Sequence, residues 1–200
     1  MDRNYQSELE QIINQNEKAN VVPTLFLHSC CAPCSSYVLE YLSQHFKITV
    51  LYYNPNIYPD EEYYKRVTEQ QAFIRKMKFA NPVGFIEGEF DKEKFHDLVK
   101  GYEKYPEGQE RCFICYHLRL AKTAKLARAQ GADYFATTLS ISPLKNAPKL
   151  NDIGEEIANE VGIKWLPADF KKKNGYKRSV ELAAEYGLYR QNYCGCVYSS

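Results

Sequence analysis

The chain has 200 residues, with 26 lysines and arginines against 25 aspartates and glutamates, and a formal net charge of +1. This length suits one domain with a substantial core, and the near-zero charge excludes a globally basic nucleic-acid-binding protein. No apolar run reaches the length of a membrane span, and residues 1–20 are polar and mixed in charge, unlike a signal peptide. The sequence therefore predicts a cytoplasmic protein with no membrane partner.

The order of predicted elements indicates the fold class. Residues 1–20 are expected to form a helical extension, with apolar Leu9, Ile12 and Ile13 on one face, outside a single domain over residues 21–200. Short apolar runs predict buried strands at residues 21–28, 47–53, 83–87, 133–139 and 163–166. Helical patterns follow at residues 37–42, 60–78, 92–101, 112–130, 151–161 and 179–186. This alternation predicts an α/β layered domain with a mainly parallel sheet flanked by helices, in which ligands bind at the carboxyl ends of the strands.

The most informative residues are the seven cysteines, which lie within residues 30–34, 112–115 and 194–196. In a chain without a secretory signal, structural disulfides are rare and grouped cysteines indicate metal or redox chemistry. Two C-x-x-C spacings, in the first and second groups, would allow four thiolates to bind zinc or to hold a [4Fe–4S] cluster. Because Cys30 brings these two groups to five thiols, one more than a structural zinc needs, the pattern favours the cluster.

The pair Cys194 and Cys196 has a different spacing. A one-residue gap closes a small, strained disulfide ring, which is readily reduced. The pair therefore suits a redox shuttle better than a permanent cross-link, and the alternative is two unpaired thiols.

Six segments resemble the QueH-type epoxyqueuosine reductases, which carry out the last step of queuosine formation in tRNA. They occur in order over residues 28–35, 52–57, 111–120, 137–143, 169–176 and 189–196, so the resemblance covers nearly the whole chain after residue 28. The resemblance implies a HUP-like α/β fold and a metalloenzyme that reduces an epoxide on the modified base to the cyclopentene of queuosine. This reaction is a two-electron reductive deoxygenation.

The resemblance also assigns roles to the cysteines. It implies a [4Fe–4S] cluster bound by Cys30, Cys31, Cys112 and Cys115. It further implies an additional iron beside the cluster, for which Cys34 is the nearest spare donor and Asp169 the next candidate. Cys194 and Cys196 correspond to a redox-active pair, supplied by an electron donor that the sequence does not identify.

The reaction also needs an acid that protonates the leaving oxygen. Asp169, His117 and Tyr53 are the candidates, and each is equally interpretable as a structural hydrogen-bonding residue. Arg119 is expected to pair with a carboxylate, with phosphate binding as the alternative.

The tRNA must be bound by a local patch, because the net charge is close to zero. The densest basic segment predicts substrate contacts from Lys171, Lys172, Lys173 and Arg190. Tyrosines stack on single-stranded bases, so Tyr58, Tyr189 and Tyr193 are further candidates.

Two functions from other classes remain open. One is a zinc-stabilised nucleic-acid-binding module without catalysis, and the other is a metal-free dithiol oxidoreductase that uses C-x-x-C directly. The metal content of the purified protein distinguishes them from an iron–sulfur enzyme.

Overall fold

The computed structural model describes residues 3–199, so residues 1, 2 and 200 of the expected domains lie outside the described part. The strands are β1 (Thr24–His28), β2 (Lys47–Tyr52), β3 (Val83–Glu87), β4 (Tyr134–Thr137) and β5 (Lys164–Trp165). The helices are α1 (Tyr5–Lys18), α2 (Ala32–Leu42), α3 (Asp60–Lys76), α4 (Lys92–Val99), α5 (Glu110–Ala129), α6 (Ala147–Val161) and α7 (Gly175–Glu185). Two 3₁₀ turns lie at Leu139–Ile141 and Val197–Ser199. Within residues 3–199 no helix has the length and apolar character needed to cross a bilayer.

The five strands form one sheet in the order β3-β2-β1-β4-β5, and every pair is parallel. This confirms the predicted α/β class. The central strand β1 pairs with β2 on one side and β4 on the other, so that His28 lies opposite both Leu51 and Thr137. The chain direction along the sheet reverses at β1, and the carboxyl ends of β1 and β4 therefore form the switch point where α/β proteins bind ligands.

Alternating side chains of β1 fill a core on each face of the sheet. Phe26 packs into a cluster with apolar residues of α5 and α6, whereas Leu25 and Leu27 pack into a cluster with residues of α1 and α2. The expected N-terminal helix forms as α1, and its Leu9 and Ile13 are buried in this second cluster. The apolar runs in the sequence are therefore strands covered by helices on both faces.

Three helices, α2, α6 and α7, begin about four or five residues earlier than the sequence predicts. In α2 the Cys31 side chain accepts a hydrogen bond from the Cys34 backbone N–H, a capping role usually taken by oxygen, and α6 is capped by Asn146. In α7 the chain enters the helix at Gly175, where a Cβ atom would lie 1.9 Å from the Phe170 carbonyl oxygen. The same Cβ would lie 2.5 Å from the Tyr37 ring, so the glycine lets α7 pack against α2, the helix whose first turn carries Cys34.

Candidate active site

A cavity of about 330 Å³ lies at the carboxyl edge of the sheet. Its wall comes from the loops after β1 and β2, the segment around residues 139–145, the first turns of α7 and residues 190–194. These segments are far apart in the sequence, and the parallel sheet brings them together because all its strands end at this edge. The cavity is therefore the expected binding position for this fold.

The first thiol group forms one side of the cavity. The sulfurs of Cys30, Cys31 and Cys34 lie within 4.8 Å of one another, and in residues 3–199 no other set of three histidine, cysteine or acidic side chains is so compact. Hydrogen bonds from Cys31 and Cys34 lower the pKa of the Cys30 thiol well below its usual range, while burial raises the pKa of Cys31. This arrangement can concentrate negative charge on sulfur beside the cavity.

The second thiol group lies next to the first, in a small pocket whose lining includes Cys112, Cys115, Cys194 and Cys196. Cys112 and Cys115 are one turn apart on α5, and the Gly108 backbone N–H donates to the Cys112 sulfur at 3.2 Å. Burial raises the pKa of Cys115 to about 12. All seven cysteines are free thiols in this structure.

Residues 194–196 are held in place by the loop after β2. The Tyr58 backbone N–H donates to the Gly195 carbonyl at 2.8 Å, and Ile57 forms an antiparallel bridge with Cys196. Gly195 has a φ of 93°, and a Cβ atom there would lie 3.0 Å from the Arg66 guanidinium. A residue without a side chain is therefore needed for Cys194 and Cys196 to face the pocket.

Cys194 connects the two thiol groups, because it lines both the larger cavity and the small pocket. Cys30 and Cys31 line only the former, and Cys112 and Cys115 only the latter. The structure thus places the four expected cluster ligands on adjoining walls. It also brings Cys34 into the first group.

Arg119 is a buried cation between the two groups. It is 2% exposed, lines both spaces, and donates to the Cys115 carbonyl at 3.2 Å and to Asn54 Oδ1 at 3.4 Å. Among residues 3–199 no carboxylate forms an ion pair with Arg119, so the expected carboxylate partner is missing. Burial acts to lower its pKa, but the neighbouring Cys115, Cys194 and Cys30 sulfurs more than offset this and the pKa is raised. Thiols of both groups are therefore the principal groups near this guanidinium that could carry a counter-charge.

Arg66 and Lys145 are two further buried cations at the same site. Arg66 pairs with Glu62 at 2.6 Å and donates to the Cys194 carbonyl at 3.3 Å. Lys145 donates to Glu107 at 2.8 Å and to the Cys194 sulfur at 3.2 Å, and it lines both the cavity and the pocket. Sequence reasoning missed both residues. Lys145 could have been identified from its position in the loop that follows β4, because such loops lie at the carboxyl edge of the sheet.

The expected proton donors lie outside the cavity lining. Asp169 is buried and pairs with Lys171 at 2.6 Å. His117 is exposed on the outer side of α5, and Tyr53 is buried in the core cluster beneath α5. Lys145, by contrast, is buried, lines the cavity and donates a hydrogen bond to the Cys194 sulfur.

Some of the residues expected to contact the substrate line the cavity, and others lie outside it. Arg190 lines the cavity and lies over the Tyr176 ring at 5.8 Å, and Tyr193 also lines it. The lysines of the basic segment lie outside the lining, where Lys171 pairs with Asp169 and Lys173 with Glu10. Tyr189 and Tyr58 also lie outside the lining. The Lys65 ammonium lies over the Tyr189 ring, and Tyr58 is exposed.

Fold and site together define an α/β protein in which thiols and buried cations line a ligand cavity and the small pocket beside it. This is the class whose chemistry is carried by cysteine-bound metal or by thiol redox exchange. A family model described as "Epoxyqueuosine reductase QueH" matches residues 25–200. The epoxyqueuosine reductase QueH of Streptococcus pyogenes serotype M1 is 46% identical over 98% of this chain and 78% of its own length. The corresponding protein of Thermotoga maritima is 37% identical over 88% of this chain and 90% of its own length. The chain belongs to the epoxyqueuosine reductase QueH family.

Proposed function

We propose that this chain reduces epoxyqueuosine in tRNA to queuosine in the cytoplasm, using a [4Fe–4S] cluster. The epoxide takes up two electrons and two protons, both C–O bonds of the ring break, and the oxygen leaves as water while the alkene forms. The observation that carries the proposal is that seven free thiols line one cavity and the small pocket next to it, in a member of a family with this name.

The residues present fit an anionic metal centre. Arg119 is a buried guanidinium with no carboxylate ion pair in residues 3–199, and the groups that raise its pKa most are the Cys115, Cys194 and Cys30 sulfurs, whereas a buried charge needs a partner of opposite sign. Cys30, Cys31, Cys112 and Cys115 would hold the cluster, and Cys34 is the spare donor for an additional iron. When bound, such a centre supplies low-potential electrons, and an adjacent iron supplies a Lewis acid for the epoxide oxygen.

The polar side chains of the cavity supply the remaining functions. Lys145 retains its proton, because charge on Cys194, Tyr116 and Glu107 raises its pKa against the effect of burial, and it can donate a hydrogen bond to the leaving oxygen. Asn56 is 3% exposed, lines the cavity and has no hydrogen-bond partner for Oδ1. A buried amide oxygen without a partner is a natural acceptor for a substrate N–H or O–H group.

The mouth of the cavity suits a nucleotide held out of a helix. Arg190 and Tyr176 lie together there, and Tyr193 lines the same wall. Stacking on aromatic rings and phosphate contacts from arginine are the usual means of binding unpaired anticodon-loop bases. We therefore assign Arg190 to tRNA binding in preference to Lys171, Lys172 and Lys173.

Cys194 and Cys196 are proposed as the redox-active pair that relays electrons to the site. Their position supports this role, because Cys194 adjoins both thiol groups and is hydrogen-bonded by Lys145. Formation of their disulfide releases two electrons and two protons, which is the amount that one turnover consumes.

Anaerobic iron and sulfide analysis of two matched variants tests the ligand assignment. We expect Cys112→Ser to lose most of its iron and its activity, since a cluster ligand is removed. Cys194→Ser should retain iron while multiple-turnover reduction slows more than a single turnover primed with reductant. Full iron and sulfide in Cys112→Ser would refute the ligand set, and loss of iron in Cys194→Ser would make Cys194 a ligand. A colourless, zinc-containing wild-type protein would favour the nucleic-acid-binding module instead.

A further inference from the structure

A second concave surface lies on the outer side of α5, away from the cavity. It is an open groove of about 480 Å³ between α4, α5 and α6, and it shares no lining residue with the cavity or the small pocket. We call it the α5 groove. The residues that line it are Lys94, Leu98, Phe113, Ile114, His117, Leu118, Ala121, Lys122, Lys125, Lys149 and Ile153.

The α5 groove combines a positive rim with an apolar centre. Four of its lining residues are lysines, and none of the described lining residues is acidic. At its centre Leu98 is 46% exposed, and Phe113 and Ile114 are only partly buried. An apolar centre inside a polar, charged rim is the arrangement of a protein–protein interface, whereas surfaces that bind nucleic acids are more polar.

The position of the groove relates it to the thiols. Phe113 and Ile114 face the groove, while the residues on either side of them, Cys112 and Cys115, face the small pocket. The side chains diverge because successive positions on a helix are rotated by about 100°. One helix therefore separates the groove from the sulfurs, and no described lining residue of the groove belongs to the cavity.

We propose that the α5 groove docks the electron donor of the reaction, an acidic one-electron carrier protein. This inference rests on the proposed function, because only a reductive reaction needs a donor. Each carrier molecule loses one electron, so two successive dockings supply the two electrons that, with two protons, convert the epoxide to the alkene and water. The lysine rim complements an acidic carrier, and the apolar centre supplies the contact area of a small, transient redox interface.

Charge reversal in the groove tests the proposal. Lys94 and Lys125 are exposed and form no ion pair within residues 3–199, so Lys94→Glu with Lys125→Glu leaves the folded core intact. The matched control is Lys47→Glu with Lys78→Glu, which makes the same charge change at exposed positions outside the groove and the cavity. A further variant, Leu98→Asn, removes the exposed apolar contact without changing charge.

The probes are an acidic plant-type [2Fe–2S] ferredoxin and an acidic flavodoxin, with dithionite and methyl viologen as a small-molecule donor. At low ionic strength we expect the groove variant to raise the KM for a carrier by a factor of about ten or more, because a complementary rim is reversed. Turnover with methyl viologen and the KM for tRNA should stay at the wild-type values, as should every parameter of the control. Leu98→Asn should weaken carrier binding several-fold with less dependence on salt.

The possible outcomes distinguish failure of the docking proposal from failure of the proposed function. A groove variant that raises the KM for tRNA with either donor would show that this surface binds tRNA, and the docking proposal would be wrong. It would also be wrong if wild-type protein bound neither carrier in a calorimetric titration, or if the groove variant bound them as tightly as the control. Failure of the wild type to reduce epoxyqueuosine in tRNA with methyl viologen would instead refute the proposed function, whatever the carriers do.

Discussion

Replacing Arg119 by methionine removes a positive charge that lies between the two thiol groups and preserves most of the side-chain length. Arg119 is 2% exposed and lines both the cavity and the small pocket, so solvent does not screen it. The interaction energy of two unit charges roughly 6 Å apart, in a medium of effective dielectric constant 20, is ~3 kcal/mol. Because about 1.4 kcal/mol corresponds to 59 mV for a one-electron couple, this contribution amounts to ~120 mV.

We expect Arg119→Met to lower the midpoint potential of the proposed metal centre by roughly 60–120 mV, because reduction adds negative charge that the guanidinium stabilises. Arg119→Lys is the matched control, since it keeps the charge and should shift the potential by less than half as much. The measurement is an anaerobic redox titration followed by visible absorption and normalised to iron content. An iron-replete Arg119→Met protein with the wild-type potential would refute the electrostatic role of this residue.

Two further predictions concern Lys145 and a packing contact. Lys145→Met should slow alkylation of Cys194 by iodoacetamide about tenfold at pH 7, since the hydrogen bond to that sulfur is lost, whereas Lys145→Arg should keep most of the rate. The rates are measured by mass spectrometry of the Cys194 peptide. Equal rates in the wild type and both variants would contradict the contact. Gly154→Ala should destabilise the fold by about 1–3 kcal/mol, because its Cβ would lie 2.4 Å from the Trp165 ring. Gly84→Ala, whose nearest contact is 3.9 Å, is the control in the same urea titration, and equal midpoints would show that Trp165 moves freely.

The strands and the cysteine groups could be predicted from the sequence, because each is a local pattern. β3 lies at residues 83–87 as expected, since an apolar run flanked by polar residues has one favourable strand placement. The start of α2 was wrong by five residues, because a sulfur cap at Cys31 is not among the usual helix-start signals.

The charges of the site could not be predicted in the same way. Arg119 and Lys145 become buried only when α5 and the loop after β4 pack around the thiols, and burial of this kind is a tertiary property. An isolated arginine in the sequence suggests a carboxylate partner, which is the common case. The structure instead places Arg119 near the Cys115, Cys194 and Cys30 sulfurs, which come from three distant parts of the sequence.

The sulfurs of the site come from three parts of the chain that are separated by long stretches of sequence, and any bonds that join them also act as cross-links. Joining Cys31 to Cys112 closes a loop of 81 residues, and in the chain-entropy treatment of disulfides such a loop adds about 4.5 kcal/mol by restricting the unfolded chain. A bond from Cys194 or Cys196 to another thiol group would likewise restrict the unfolded chain. Residues 194–196 are otherwise held by a few backbone contacts to the loop after β2. Loss of the proposed cluster on exposure to oxygen should therefore lower stability as well as turnover, because a chain without these links is easier to unfold and to digest.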